Sequence, residues 1–350
     1  MKFLFRSLFF VSASFFAQEH QYDYTLFTNS IMKDNFFYGN VKFSGKAFVK
    51  NQNSKLLVDK NEFHSPGNSH LLEYKNAKDG QWEASLEYEE IRGKDFFSKA
   101  NFLAIWIKSE KSDSNVLPTV KIQKTDGTFS KSVQLKLTKK NQWENILIDI
   151  SNLDASVKDD PKLIKAVIFS QPENSESNNK IWLDDIAFID SKDKKTISTT
   201  PKISLAKAFM KHVDLKWDPI TDHAIRYVKI YRSENGKDFQ PVGIQDAYTD
   251  RFADFTNETG KTYSYKISFL DRLFNESDLS AIVSAETRNM SDEELMTMVQ
   301  EASFNYYWDG AETESGLSKE NTNGRQDMIA TGASGFGIMA LVTGTERGFI

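Results

Sequence analysis

The most motif-like stretch of the 350 residues is the glycine run Gly332-Ala333-Ser334-Gly335-Phe336-Gly337. Three chemistries use glycine clusters of this kind, and the residues argue against each. No Gly-Lys-Ser/Thr follows to cradle a phosphate. Phe336 stands where a nucleophile elbow needs its second glycine. The spacing G-x-x-G-x-G, with no strand before it, is not the dinucleotide fingerprint. Two readings remain: close packing at a helix start, or a loop lining a cleft. The five histidines (His20, His64, His70, His212 and His223) include no i, i+4 pair and no carboxylate set on a helix, so metal catalysis finds little support. Trp82, Trp106, Trp143 and Trp182 offer flat apolar rings that suit either a sugar-stacking surface or a packed core. Trp106 lies within an apolar run and is expected in the core.

The elements that must position these groups begin with an export signal. Lys2 and Arg6 precede an apolar run from Ser7 to Ala17, followed by polar Gln18-Glu19-His20. Residues 1–17 therefore read as a signal peptide, too short to span a bilayer, and the chain is expected to be secreted or periplasmic. With no cysteine, disulfides and a lipidated N-terminal anchor are both excluded. Net charge is −5, with lysine and aspartate mixed along the chain, which argues against nucleic acid as a partner. The aromatic content of 13% fits β-rich cores, a codon bias or a sugar-binding surface, and the count alone does not choose among them. Nothing in the sequence sets an oligomeric state.

From residue 21 to 190 the pattern is short alternating strands broken by Asn, Gly, Ser and Asp clusters. Phe102–Ile107, Thr119–Lys124, Trp143–Ile150, Ala166–Ser170 and Lys180–Phe188 are the clearest. Asp126-Gly127 marks a hairpin turn between Thr119–Lys124 and Ser130–Leu137. Many strands without helices between them predict a two-sheet sandwich. Residues 191–200 (SKDKKTISTT) are polar and aperiodic, and read as a linker. A second β unit follows over residues 201–288, with alternation in Val213–Trp217, Tyr227–Tyr231 and Gly260–Ile267. At Met290 the period changes. Ser291-Asp292-Glu293-Glu294 is a capping box, and Leu295, Met298, Val299, Ala302 and Tyr306 recur at helical spacing. A second apolar helix is predicted from about Ser334 to Thr345, before Gly348. Two helices cannot bury both their faces, so a larger helical body is expected beyond Ile350.

Three resemblances follow from these residues. The Trp82-Glu83-Ala84 strand, Gln142-Trp143-Glu144 and the closing Ile181-Trp182-Leu183-Asp184-Asp185-Ile186 make residues 21–190 similar to jelly-roll, galactose-binding-like modules of carbohydrate-active enzymes. Such modules often carry a structural calcium. Asp184 and Asp185 are candidate ligands, but neighbours on a regular strand point to opposite faces, so at most one would serve. No cofactor and no catalytic metal is implied. Residues 201–288 resemble a fibronectin type III domain, with Trp217 in its core and Tyr263 at the tyrosine-corner position, which implies a spacer.

The third resemblance is the most specific. Phe304-Asn305-Tyr306-Tyr307-Trp308-Asp309-Gly310-Ala311, Ser315-Gly316-Leu317, Asp327, Thr331 to Ala340 and Glu346-Arg347-Gly348-Phe349-Ile350 resemble the start of the glucoamylase-like glycoside hydrolase domain of Bacteroidetes. The resemblance implies that residues 291–350 open an (α/α)6 barrel that hydrolyses glucans. Characterised relatives act as endo-β-1,2-glucanases. It also implies substrate-binding roles for Trp308 as a sugar platform and for Arg325 and Asp327 as hydroxyl partners. A buried helix end for Trp308 and a solvated loop carboxylate for Asp327 are the alternatives. Such cleavage needs a carboxylic acid and a second group to activate water or attack carbon, and the family places that acid beyond Ile350. No residue of this sequence is therefore assigned as catalytic, and these residues alone are expected to be inactive. The competing function is a non-catalytic surface glycan-binding protein, which explains residues 21–288 as well but leaves the two helices without a use.

Overall fold

The computed structural model describes residues 24–350 except 31, 88–99, 193–195, 223, 248, 313–314 and 321–327. The proposed signal peptide lies outside the described residues. The chain divides into two compact units, a large β unit and a helical unit formed mainly by Glu294–Ile350.

The β unit opens with a sandwich of twelve strands: β1 (Tyr24–Phe27), β2 (Gly39–Ser44), β3 (Phe48–Val49), β4 (Leu57–Asp59), β5 (Ser69–Asn76), β6 (Gln81–Glu87), β7 (Phe102–Ser109), β8 (Thr119–Lys124), β9 (Val133–Gln134), β10 (Glu144–Asp149), β11 (Ile164–Ser170) and β12 (Ser177–Ile189). One sheet runs β10-β7-β12-β5-β3, with β1 on β12 and β4 on β5. The other runs β2-β6-β11-β8-β9. Alternation decides what each sheet buries. Leu103, Ile105 and Ile107 of β7 meet Val120, Ile122, Val167 and Phe169 of the facing sheet in one core, with Trp82 1% exposed. The Trp82 indole N–H is satisfied by Asn76 Oδ1 at 2.7 Å. At the predicted hairpin turn, Gly127 adopts φ 87° and Asp126 accepts the Thr128 amide at 2.9 Å.

The expectation of strands alone fails between β10 and β11. A single helical turn, α1 (Ala155–Asp159), is flanked there by 3-10 turns. Asp149, Asp154 and Asp160 each accept an amide two residues on, so side chains supply the partners that such short turns lack.

The second sandwich comprises β13 (Ile203–Ala208), β14 (His212–Trp217), β15 (Tyr227–Ser233), β16 (Gln240–Asp246), β17 (Arg251–Phe255), β18 (Thr262–Leu270) and β19 (Val283–Glu286). Three strands, β13-β14-β17, face four, β16-β15-β18-β19. Trp217, Tyr263 and Tyr265 fill its core at 1% exposure or less. Arg232 holds both oxygens of buried Asp254 at 2.9 Å, and the Tyr265 hydroxyl donates to the same carboxylate at 2.8 Å. A carboxylate so enclosed is tolerable because its oxygens are paired.

In the helical unit, α2 (Asp292–Trp308) packs on α3 (Thr331–Arg347). Contact is close because Gly344 lies under the Phe304 ring, and a Cβ there would stand 2.3 Å from it. A Cβ at Gly337 would come 3.3 Å from Tyr307. At Gly332 and Gly335 it would meet nothing, so only part of the glycine run packs closely. Gly348 ends α3 in the left-handed conformation at φ 69°, as a C-terminal glycine does. Phe336, Ile338, Met339 and Val342 are exposed on α3. Among the described residues no helix is long and apolar enough to cross a membrane.

Candidate functional site

The β2-β6-β11-β8-β9 sheet turns one face to the core and the other to a groove of about 740 Å³. Strand register explains its chemistry. Lys42 lies opposite Glu83, Glu83 opposite Ser170, Ser170 opposite Thr119, and Thr119 opposite Gln134. These five polar residues therefore form one row across the whole sheet, while their neighbours Val41, Ala84, Phe169 and Val120 point inward. Four strand spacings give the row a length of about 19 Å.

The floor carries an ion pair, with Lys121 Nζ 2.6 Å from Glu83 Oε1. The two side chains are 19% and 40% exposed, so they stay wet enough to exchange partners with a bound hydroxyl. The same ammonium lies 4.7 Å from the centroid of the half-exposed Phe129 ring. At the opposite edge Phe43 packs edge-on against Phe48, ring centroids 5.1 Å apart, and both are 45% exposed. The wall beside β6 is pinned by Gln171, whose amide donates to the Ala77 carbonyl at 2.8 Å and the Gly80 carbonyl at 3.1 Å. Gly80 passes so near β2 that a Cβ would stand 2.3 Å from the Ser44 carbonyl oxygen. A rigid trough with alternating donors, acceptors and apolar ring edges suits a polyhydroxylated ligand.

The sequence singled out none of the five row residues as site residues, although Glu83, Thr119, Gln134 and Ser170 lie within its predicted strands. Their signal was the polar half of ordinary strand alternation. Of the tryptophans it did single out, only Trp82 borders the groove, and its ring is buried. Trp82 is core. Trp182 lies on the outer face of the other sheet, its N–H donated to Asp59 Oδ2 at 2.9 Å and the Lys180 ammonium 4.6 Å over its ring.

Trp106 is a correction to the expected core position. Leu103, Ile105 and Ile107 take the inward places of β7, so alternation sends Trp106 outward, where the His64 ring stacks on it at 3.6 Å and 13°. Asp184 and Asp185 correct a second expectation. The register of β12 against β7 shifts between Asp184 and Ala187, and Asp185 takes φ 44°. Both carboxylates consequently meet the same segment. Asp184 Oδ2 accepts the His64 and Ser65 amides at 2.7 and 3.1 Å. Asp185 Oδ2 accepts His64 Nδ1 and Ser65 Oγ, each at 2.6 Å. Burial first and the Asp185 charge second raise Asp184 well above the usual carboxylate range. Ser65, His64 and Asp185 are thus neighbours without being a nucleophile triad, because serine and imidazole donate to the same carboxylate. Among the described residues no group of three or more His, Cys, Asp or Glu side chains could hold a metal ion.

In the helical unit Trp308 ends α2, 51% exposed, its ring stacked against Phe304 at 6.0 Å. Arg325 and Asp327 lie outside the described residues. Among the described residues that flank 321–327, the Tyr306 hydroxyl donates to the Lys319 and Glu320 carbonyls, and the Glu320 amide donates to the Met328 carbonyl at 3.0 Å.

Residues 23–190 match the family Carbohydrate binding domain 30. This match covers the first sandwich and its groove. A curated relative, the exo beta-1,2-glucooligosaccharide sophorohydrolase (non-reducing end) of Parabacteroides distasonis, is 40% identical over 348 residues, covering 97% of this chain and 48% of its own length. The crystal structure of a beta-1,2-glucanase from Parabacteroides distasonis superposes with a TM-score of 0.81 at 39% identity, over 94% of this chain and 48% of that chain. The chain spans about half the length of these relatives.

Proposed function

We propose that this chain is the exported N-terminal part of a glycoside hydrolase acting on β-1,2-glucan, with the groove of its first sandwich as a glucan-binding site. The observation that carries the reading is the 40% identity to the sophorohydrolase, in an alignment that spans 97% of this chain. The Carbohydrate binding domain 30 match and the polar row support the groove as the place where sugar binds. In this reading Glu83 accepts hydrogen bonds from sugar hydroxyls, Lys121 donates to them, and Phe129 packs against a ring face. The second sandwich, residues 201–288, is a fibronectin type III-like spacer, consistent with its three-plus-four strands. Residues 291–350 open a glucoamylase-like (α/α)6 barrel, with Trp308, Arg325 and Asp327 on one wall of its cleft and the general acid beyond Ile350. Residues 1–17 direct export. The relative's name specifies exo action, whereas the family resemblance suggested endo action, so product analysis belongs in the test.

Two measurements decide the matter. The uninterrupted reading frame, expressed whole, should hydrolyse linear β-1,2-glucan and leave β-1,3-glucan and starch intact; turnover of starch alone would refute the substrate. In calorimetric titration with β-1,2-glucooligosaccharides, Lys121→Met should weaken binding by about tenfold, the worth of one charged hydrogen bond. Unchanged affinity would move the sugar site out of the groove.

A further inference from the structure

The segment 191–200 has the composition of a flexible tether, yet the sandwiches on either side of it touch through a built contact. Its centre is Phe274, in the turn after β18. That residue holds φ 63°, a conformation that costs a bulky side chain and persists only where the surroundings over-determine it. Here they do. Asp271 Oδ1 accepts the amides of Leu273 and Asn275, each at 2.9 Å, and the Phe274 amide donates to the Asp271 carbonyl at 3.1 Å.

The strained turn has one visible product, a phenylalanine ring aimed at the first sandwich. It meets His64 edge-on at 5.0 Å and Trp106 at 6.1 Å, with Tyr227 of its own sandwich stacked behind it at 5.0 Å. His64 is the residue that clasps Asp185, which is itself strained at φ 44° and buried. Beside this plug the Arg272 guanidinium reaches Asp190 at 2.5 Å, at the last residue before the tether. Lys229 of β15 adds its charge to those favouring the ionised form of Asp185, against a dominant burial effect. Trp106 Nε1 and Asp185 Oδ1 are buried beside the plug with no hydrogen-bond partner among the described residues.

From the two strained residues joined across this seam through His64, we infer that the two sandwiches form one rigid body, with Phe274 as the plug and Arg272–Asp190 as the clamp. Segment 191–200 is then a covalent bridge across a docked interface. The groove consequently keeps a fixed orientation relative to the second sandwich. A tethered binding domain would sample many.

The absence of native cysteine allows a direct test on the full chain. Spin labels at Lys136→Cys and Lys237→Cys, one exposed site in each sandwich, report the distance between them by double electron–electron resonance. The unaltered interface should give one narrow distance distribution. Combining Phe274→Gly with Arg272→Ala should broaden it severalfold. Glycine accepts φ 63° and so keeps the turn while removing the ring. Circular dichroism of the same samples, with Arg272→Ala alone as the milder variant, verifies that both sandwiches stay folded. A broad distribution with the interface intact would overturn the inference. So would a narrow one that survives in both variants with the fold preserved.

Discussion

His70 is fully buried on β5 between the rings of Phe27 at 3.8 Å and Phe36 at 4.9 Å, where burial outweighs a backbone hydrogen bond at Leu57 that favours the charged form. Burial lowers its pKa to about 3. The unfolded chain takes up a proton near the ordinary imidazole value of about 6.5, whereas the folded chain resists until about 3. Between those limits the unfolded state binds more protons, so stability rises with pH across the window and is lost as pH falls through it. The expected slope is up to about 1.4 kcal/mol per pH unit from this one group. Urea melts of the wild type and of His70→Leu, compared from pH 7 to pH 4, should converge toward neutrality in their pH dependence and diverge in acid. Parallel curves over that range would show that the imidazole does not titrate with unfolding. Taking the difference between the two proteins cancels the carboxylates, including Asp184, whose raised pKa acts with the opposite sign.

At the scale of the element, the glycines of α3 divide by what they touch. Gly344 has no room for a side chain because Phe304 lies across it, while Gly335 faces open space. Overpacking of this kind costs about 1–3 kcal/mol where the backbone must move. Gly344→Ala should therefore lower the stability of the helical pair by about that much in chemical denaturation followed by circular dichroism, despite alanine's better helix propensity. Gly335→Ala should stabilise it by up to about 1 kcal/mol. Equal effects at both positions would contradict the close approach. The strands show a parallel division. Alternation located β7, β8, β14 and β18 in the sequence, because each buries one face. The turns between β10 and β11 escaped notice because three aspartates cap them locally, a pattern that also occurs in ordinary loops.

For the whole molecule, binding and bond cleavage are assigned to separate parts. The groove is lined by residues between 42 and 173, whereas Trp308, the one described residue of the proposed cleft, ends α2 in a helical unit that leaves Phe336, Ile338 and Val342 exposed. The 350-residue chain should accordingly retard on an affinity gel containing linear β-1,2-glucan while releasing no reducing sugar from it. Release at the rate of the uninterrupted reading frame would place the general acid within these residues and overturn its assignment beyond Ile350.

The division between sequence and tertiary structure follows the range of the interactions involved. Local ones were legible in the residues alone: the Asp126-Gly127 turn, the change from strand to helix period at Met290, and the glycine that ends α3. Each depends on neighbours within a few positions. The glycine run was legible only as a pair of alternatives, and contact with Tyr307 decided for packing at Gly337 alone. Trp106 was misassigned because an apolar run states that a strand is buried without saying which residue faces which side. The two adjacent aspartates were misread because a bulge, set by the partner strand, turned both to one face. Above all, the row Lys42, Glu83, Ser170, Thr119 and Gln134 exists only once five strands drawn from between residues 39 and 170 lie side by side. Period-two alternation marks a polar face on each strand, but strand order comes from how the two sheets close over their common core, and that choice made five scattered polar residues into one groove.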